Sequence, residues 1–171
     1  MSGLMRVDEV LRPLVLEGDL QRVGSAVSAW LNTGLTVRVL RGRKMRTRTG
    51  VFDEFAAALQ FPLYFGENED AFDECLSELE YLPQGEGYVV VITEPDQVLA
   101  DEQGMAFEWL VRALSRASKE WSQPIELGEW WDRAAVPFHV VLAGSPDAVS
   151  LAAKRWAMLG IEILPFTESH N

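Results

Sequence analysis

The chain has a single cysteine, two histidines and, across residues 51–111, no lysine or arginine at all. Each shortage closes off a class of function. One thiol allows no internal disulfide, and Cys75 falls on the apolar stripe of a helix, where a small hydrophobe is wanted, so core packing outweighs redox chemistry. His139 is embedded in VPFHVVLAG, the setting of a satisfied sheet histidine, and His170 sits in a terminal tail. No nucleophile and base stand out as a pair, so nothing points to an enzyme. No apolar run approaches the ~20 residues that span a bilayer, and the opening MSGLMRVDE lacks the basic-then-apolar layout of an export signal, so a cytoplasmic protein is expected. LAGSPDA runs from strand to helix like a phosphate cradle but lacks the Gly-Lys-Thr/Ser ending and the three-glycine fingerprint; Ser145 reads as a helix cap, and no cofactor is implied.

What is present is a globular composition with a strong negative charge. The 171 residues, 48% hydrophobic and 24% charged, suit one domain with a substantial core. The net charge of −11 disfavours nucleic acid and anionic membranes as direct ligands, because both require positive surface, and favours a basic protein partner. Fifteen acidic residues lie within 51–111, more than the imbalance of the whole chain. The cations crowd elsewhere: Arg38, Arg41, Arg43, Lys44, Arg46 and Arg48 share one tract. With no interleaved stacking residues, that tract reads as a solvated basic edge balancing the acidic surface, within the molecule or by self-association, rather than as an RNA contact.

Periodicity gives the organisation. Residues 1–18 are a short strand or irregular packing, with Pro13 opposing a helix. A helix is expected over 19–31, a strand over 35–40, a helix over 51–60 capped by Thr49, and a buried parallel strand over 88–93. A helix over 104–119, a strand over 136–143, a helix from Ser145 to Gly160 and a possible last strand over 161–164 complete the chain. Strands separated by helices imply crossovers. The fold class is therefore α/β: a small, mainly parallel sheet of three to four strands flanked by helices, in a single domain of residues 1–171. Trp121, Trp130 and Trp131 mark a loop over 121–135, too long for a simple turn; they are expected to cover the C-terminal helix, the alternative being a protein interface.

One stretch organises the rest: FPLYFGENEDAFDECL, residues 61–76. Pro62 excludes a continuous helix and Gly66 allows a sharp bend. Asn68 is placed as an N-cap, with Glu69 and Asp70 in the first turn against the positive helix end. Ala71, Phe72, Cys75, Leu76 and Leu79 form an apolar stripe, leaving Asp70, Asp73, Glu74, Ser77 and Glu78 outward. Asp70 with Glu74, and Glu74 with Glu78, are like-charge pairs four apart, each unfavourable by about 0.2–0.5 kcal/mol. Such a surface is suited to meeting a cation. A hard metal ion needs six to eight converging oxygens, which Asp70, Asp73 and Glu74 on one rigid helix cannot supply, so no metal is expected.

The same residues resemble the barstar family of intracellular inhibitors of secreted ribonucleases: a Pro, an aromatic pair, Gly-Glu-Asn, then Asp-Ala and an acid-Cys-Leu. The match extends back without a gap to the strand near Val39 and more loosely forward to about Trp121. It implies a barstar-like core over 35–143, with an extra N-terminal helix, the inserted 121–135 loop, and a helix–strand extension over 144–171. It implies an inhibitor, or immunity protein, of a small basic ribonuclease. Tyr64 would be the aromatic contact, Gly66 and Asn68 would shape the loop, Asp70 would enter the cationic site, and Glu74 stands where the family has its principal Asp. Asp73 replaces a family Trp, and Arg116 falls near a family Glu, so the footprint differs and a nuclease other than barnase is the expected target. The alternative is a barstar-fold interaction module whose basic partner is another toxin or a protein without ribonuclease activity.

Overall fold

In the computed structural model, which describes residues 3–168, successive strands are separated by helices, with two helices between β2 and β3. The order is β1 (Leu14–Glu17), α1 (Leu20–Asn32), β2 (Thr36–Arg41), α2 (Arg48–Ala58), α3 (Glu69–Glu78), β3 (Tyr88–Thr93), α4 (Ala106–Trp121), β4 (Phe138–Gly144), α5 (Pro146–Ala157) and β5 (Leu164–Pro165). All pairings are parallel and the sheet runs β2-β3-β4-β1-β5. Parallel neighbours cannot be joined by a hairpin, so helices carry the crossovers and cover both faces. β3 is buried along its whole length, and β4 along all but its last residue, which is why both read as unbroken apolar runs.

The two faces separate by the period of two along each strand. Leu40, Val90, Ile92, Val140 and Leu142 face the larger core with α2, α3, α4 and α5. Val37, Val89, Val91, Val141 and Ala143 face the smaller one, closed by Val23, Ala26 and Trp30 of α1. The parallel α/β architecture expected from sequence is present, with five strands in place of three to four. The added strand is β1: four residues are too few to show a period, and what makes them a strand is long-range pairing to β4 and β5. β5 forms at 164–165 rather than 161–164, where Leu164 N–H donates to the Pro13 carbonyl at 3.0 Å and Phe166 N–H to Val15 at 2.9 Å.

α2 begins earlier than Thr49. Thr47 is its cap, accepting the Gly50 N–H at 3.2 Å, and the 3-10 turn at Gly42–Lys44 packs closely on the first helical turn. A Cβ on Gly50 would sit 2.3 Å from the Lys44 carbonyl oxygen, which no side chain tolerates. Ser145 caps α5 through the Ala148 N–H at 3.2 Å, as read from sequence. His139 is buried in β4 with Nε2 donating to the Arg6 carbonyl at 2.8 Å; burial pushes its pKa down, so it is a neutral, satisfied sheet residue. His170 lies outside the described residues. Among the described residues no helix is long and apolar enough to cross a membrane.

Candidate protein-binding face

α3 is held from beneath by aromatic packing. Phe72, fully buried, meets the rings of Phe55 at 5.0 Å, Trp109 at 5.1 Å, Phe61 at 5.8 Å and Phe52 at 6.0 Å between centroids. Edge-on contacts of this kind add to area burial and leave a ring little freedom to tip. Cys75 and Leu76 continue the buried side, and Trp121 Nε1 donates to the Leu76 carbonyl at 3.1 Å near the helix C-terminus. Burial raises the Cys75 thiol pKa, and the adjacent Glu74, Glu78 and Glu80 raise it further; such a thiol is unreactive.

The start of α3 matches the expectation closely. Asn68 Oδ1 accepts the Ala71 N–H at 2.9 Å while its Nδ2 donates to the Gly66 carbonyl at 3.2 Å. Gly66 acts through space rather than a left-handed backbone: a Cβ there would lie 3.0 Å from Asn68 Nδ2, and the positive φ falls on Glu67 at 48°. Tyr64 is 72% exposed, its hydroxyl donating to Glu80 at 3.2 Å; desolvation, then the Glu80 carboxylate, raises its pKa. Leu63 beside it is wholly exposed, an apolar contact that sequence reasoning passed over although FPLYF puts it in the turn.

The acids of α3 divide into two groups. Asp70, Glu74 and Glu78 are exposed, four apart, and have no hydrogen-bond or ion-pair partner among the described residues. Burial, then the neighbouring Glu74 and Glu80, holds Glu78 above the ordinary carboxylate range. Glu69 and Asp73, also four apart, turn instead to the flank facing α4. Glu69 pairs with Arg48, and Asp73 Oδ2 accepts from Arg116 Nη1 at 2.5 Å. Asp73, expected outward, is therefore half-buried and engaged; its Oδ1 is buried without a partner. Burial raises its pKa, opposed by Arg116 and reinforced by Asp70, Glu120 and Glu69. A cavity of about 380 Å³ lies along this flank, lined by Arg48, Asp70, Asp73, Trp109 and Arg116 among others.

The basic tract is largely consumed inside the molecule. Arg41 pairs with Glu54, Arg43 with Glu94, Arg46 with Asp101 and Arg48 with Glu69. Of the two balances expected, within the molecule or by self-association, these pairs supply the first, and among the described residues the outer row of α3 is left without a salt-bridged cation, as are Asp53, Glu67, Glu86 and Asp96.

The 121–135 loop does not cover α5 as expected. Trp121 is buried against Tyr88 with centroids 4.9 Å apart, but Trp130 is 90% and Trp131 47% exposed, their rings edge to face at 5.4 Å. The loop base forces them outward. Ile125 and Arg133 exchange backbone hydrogen bonds at 2.8 and 3.1 Å, and Asp132 accepts the N–H groups of Leu127 and Gly128 at 3.0 and 2.7 Å. The Arg133 guanidinium lies 4.3 Å over the Trp121 ring and donates to the carbonyls of Gln123, Ala134 and Glu120. Among the described residues no group of three or more His, Cys, Asp or Glu is placed to hold a metal ion.

Comparisons with known proteins bear on fold and family. The family model described as Barstar (barnase inhibitor) matches residues 35–143, more than half of the chain. No curated protein sequence matches. Among solved structures, the chain is similar to Cdc6p from Pyrobaculum aerophilum, with a TM-score of 0.52 and 17% identity over 91% of this chain and 38% of that one. It is also similar to the Aeropyrum pernix Orc1 protein, solved in complex with DNA, with a TM-score of 0.50 and 16% identity over 94% of this chain and 40% of that one. The chain thus spans about two fifths of the length of these structures, and at such identities the likeness is one of fold alone.

Proposed function

This chain belongs to the barstar family, and from that membership we propose that it is a stoichiometric inhibitor, an immunity protein, of a small basic ribonuclease. A nuclease gathers Arg, Lys and His around the scissile phosphate, and carboxylates preorganised on a helix can fill those positions without offering a cleavable bond. The observation that carries this reading is the row Asp70, Glu74 and Glu78: three exposed carboxylates with no cationic partner, on a helix whose other side is pinned at Phe72. Asp70 and Glu74 reach the cationic site, Tyr64 packs beside them, and Asn68 with Gly66 fixes the angle at which the helix meets its partner. The protein performs no chemistry of its own.

A second reading, a barstar-fold module for a basic partner that is not a ribonuclease, is favoured by one observation. Asp73, at a family Trp position, is engaged by Arg116, which changes the part of the footprint nearest α4. Titration against small basic secreted ribonucleases other than barnase, with barnase as the comparison expected to bind poorly, separates the two. Cleavage of RNA silenced at one equivalent is the expected result. A basic partner that binds the α3 row but has no RNA-cleaving activity would replace the first reading with the second.

A further inference from the structure

The tryptophan loop and the end of α3 enclose a cleft that the inhibitor reading leaves unused. Its volume is about 740 Å³, and Leu79, Leu82, Trp121, Glu78, Glu80 and Trp130 are among the residues that line it. The cation in its wall, Arg133, is already engaged with three carbonyls and the Trp121 ring. The loop is cross-braced, so Trp130 stands in water by construction rather than by slackness. An exposed indole on a braced loop, lining the same cleft as two carboxylates, combines a π face with negative charge, the pairing that recognises an organic cation.

We infer that this cleft receives an arginine side chain of the basic partner, its guanidinium plane stacked on Trp130 and its donor fork turned to Glu78 and Glu80. The inference rests on α3 being the face for a basic protein. An apolar anchor would leave two carboxylates desolvated without compensation. A lysine would gain the charge but little stacking, since only guanidinium is planar and weakly hydrated. Glu78 also ends the row begun by Asp70 and Glu74, so one partner spans both points. The Tyr64 hydroxyl, 3.2 Å from Glu80, ties the turn ahead of α3 to a residue lining the cleft. Two separated contacts fix the rotation of the partner about α3, which a single charged row cannot do.

The test titrates blocked hexaarginine and hexalysine peptides into the full chain by calorimetry at physiological salt. The wild type is expected to prefer hexaarginine by about fivefold. Trp130→Ala abolishes that preference, and Glu80→Gln weakens hexaarginine binding, whereas Asp70→Asn weakens both peptides alike and keeps the preference. Equal affinities in the wild type, or a preference that survives Trp130→Ala, overturns the inference. Trp130→Ala and Glu80→Gln both alter exposed side chains, and melting curves matching the wild type show that the fold is retained. Nuclease inhibition is read separately. Its absence beside an intact arginine preference removes the inhibitor reading and supports the cleft; its presence without the preference removes the cleft alone.

Discussion

Arg116 on α4 holds Asp73 on α3, Nη1 to Oδ2 at 2.5 Å, and in doing so divides the acidic helix into a flank tied to the protein and a row left for a partner. Position along the helix decides which acid does which. Glu69 and Asp73 share the side toward Leu76 and α4, while Asp70, Glu74 and Glu78 form the next row outward at the same spacing of four, Asp70 still bordering the cavity on that flank.

The Arg116–Asp73 pair is expected to be a stability contact. Asp73 is mostly shielded, with one oxygen satisfied by Arg116 and the other by nothing. Arg116→Ala therefore strands a half-buried carboxylate and lowers stability by about 1 kcal/mol or more, and Asp73→Asn partly rescues it. A double-mutant cycle by urea unfolding measures the coupling; a value near zero would mean that solvent replaces the guanidinium at no loss.

Asp70→Asn and Glu74→Gln are expected to weaken the cognate complex by at least about tenfold each, the scale being that of close charge pairs at the barnase–barstar interface rather than one measured on this chain. Neither side chain has an internal partner, so melting temperatures should stay within error of the wild type. Calorimetric titration with the partner, paired with thermal melts, checks both halves. Unchanged affinity in both variants would move the contact away from this row.

Local chemistry was legible in the sequence, and long-range chemistry was not. Asn68 followed by two acids states a helix start within four residues, and the structure begins α3 at Glu69. The stripe through Ala71, Phe72, Cys75, Leu76 and Leu79 is equally local, and all but Ala71, which is half-buried, are buried. Arg48 and Arg116, by contrast, lie 21 and 43 residues from the acids they hold, and no spacing rule connects them. Thr47 and Thr49 both offer a capping hydroxyl, and spacing alone does not choose between them; the structure uses Thr47. Trp130 and Trp131 looked like core by composition; the bridge between Ile125 and Arg133 turns them outward.

Phe72→Ala is expected to lower stability by about 3–5 kcal/mol, the usual range for truncating a buried aromatic. Phe72 touches four rings contributed by α2, the turn after it and α4, and their packing is what keeps α3 at a fixed angle. Near-ultraviolet circular dichroism and partner affinity should therefore fall together, unlike in Asp70→Asn, where affinity falls alone. Retained near-ultraviolet signal would show that the neighbouring rings close over the vacancy.

Glu54 gives a pH dependence with a definite sign. Its Oε1 accepts the Arg41 backbone N–H at 3.0 Å and Nε at 2.8 Å, and its Oε2 accepts Nη2 at 3.1 Å, at the end of edge strand β2. The hydrogen bond from the Arg41 side chain holds the folded-state pKa of Glu54 below its ordinary value of 4.5, burial working against it. A depressed carboxylate contributes stability that is complete above the unfolded pKa and is lost as pH falls through the folded one. Glu54→Gln is accordingly expected to reduce stability by about 1–2 kcal/mol at neutral pH, Arg41 being half-exposed and partly screened. The gap from the wild type should narrow steadily below about pH 4.5. Asp73 and Glu78 act in the opposite direction, since their raised values mean that protonation favours the fold as pH falls through them. The wild-type profile alone therefore mixes two signs, and only the difference between wild type and Glu54→Gln, followed by chemical unfolding from pH 7 to 3, isolates Glu54. A difference that does not change with pH would mean that the glutamate acts as a neutral hydrogen-bond acceptor for β2 and that its charge contributes nothing.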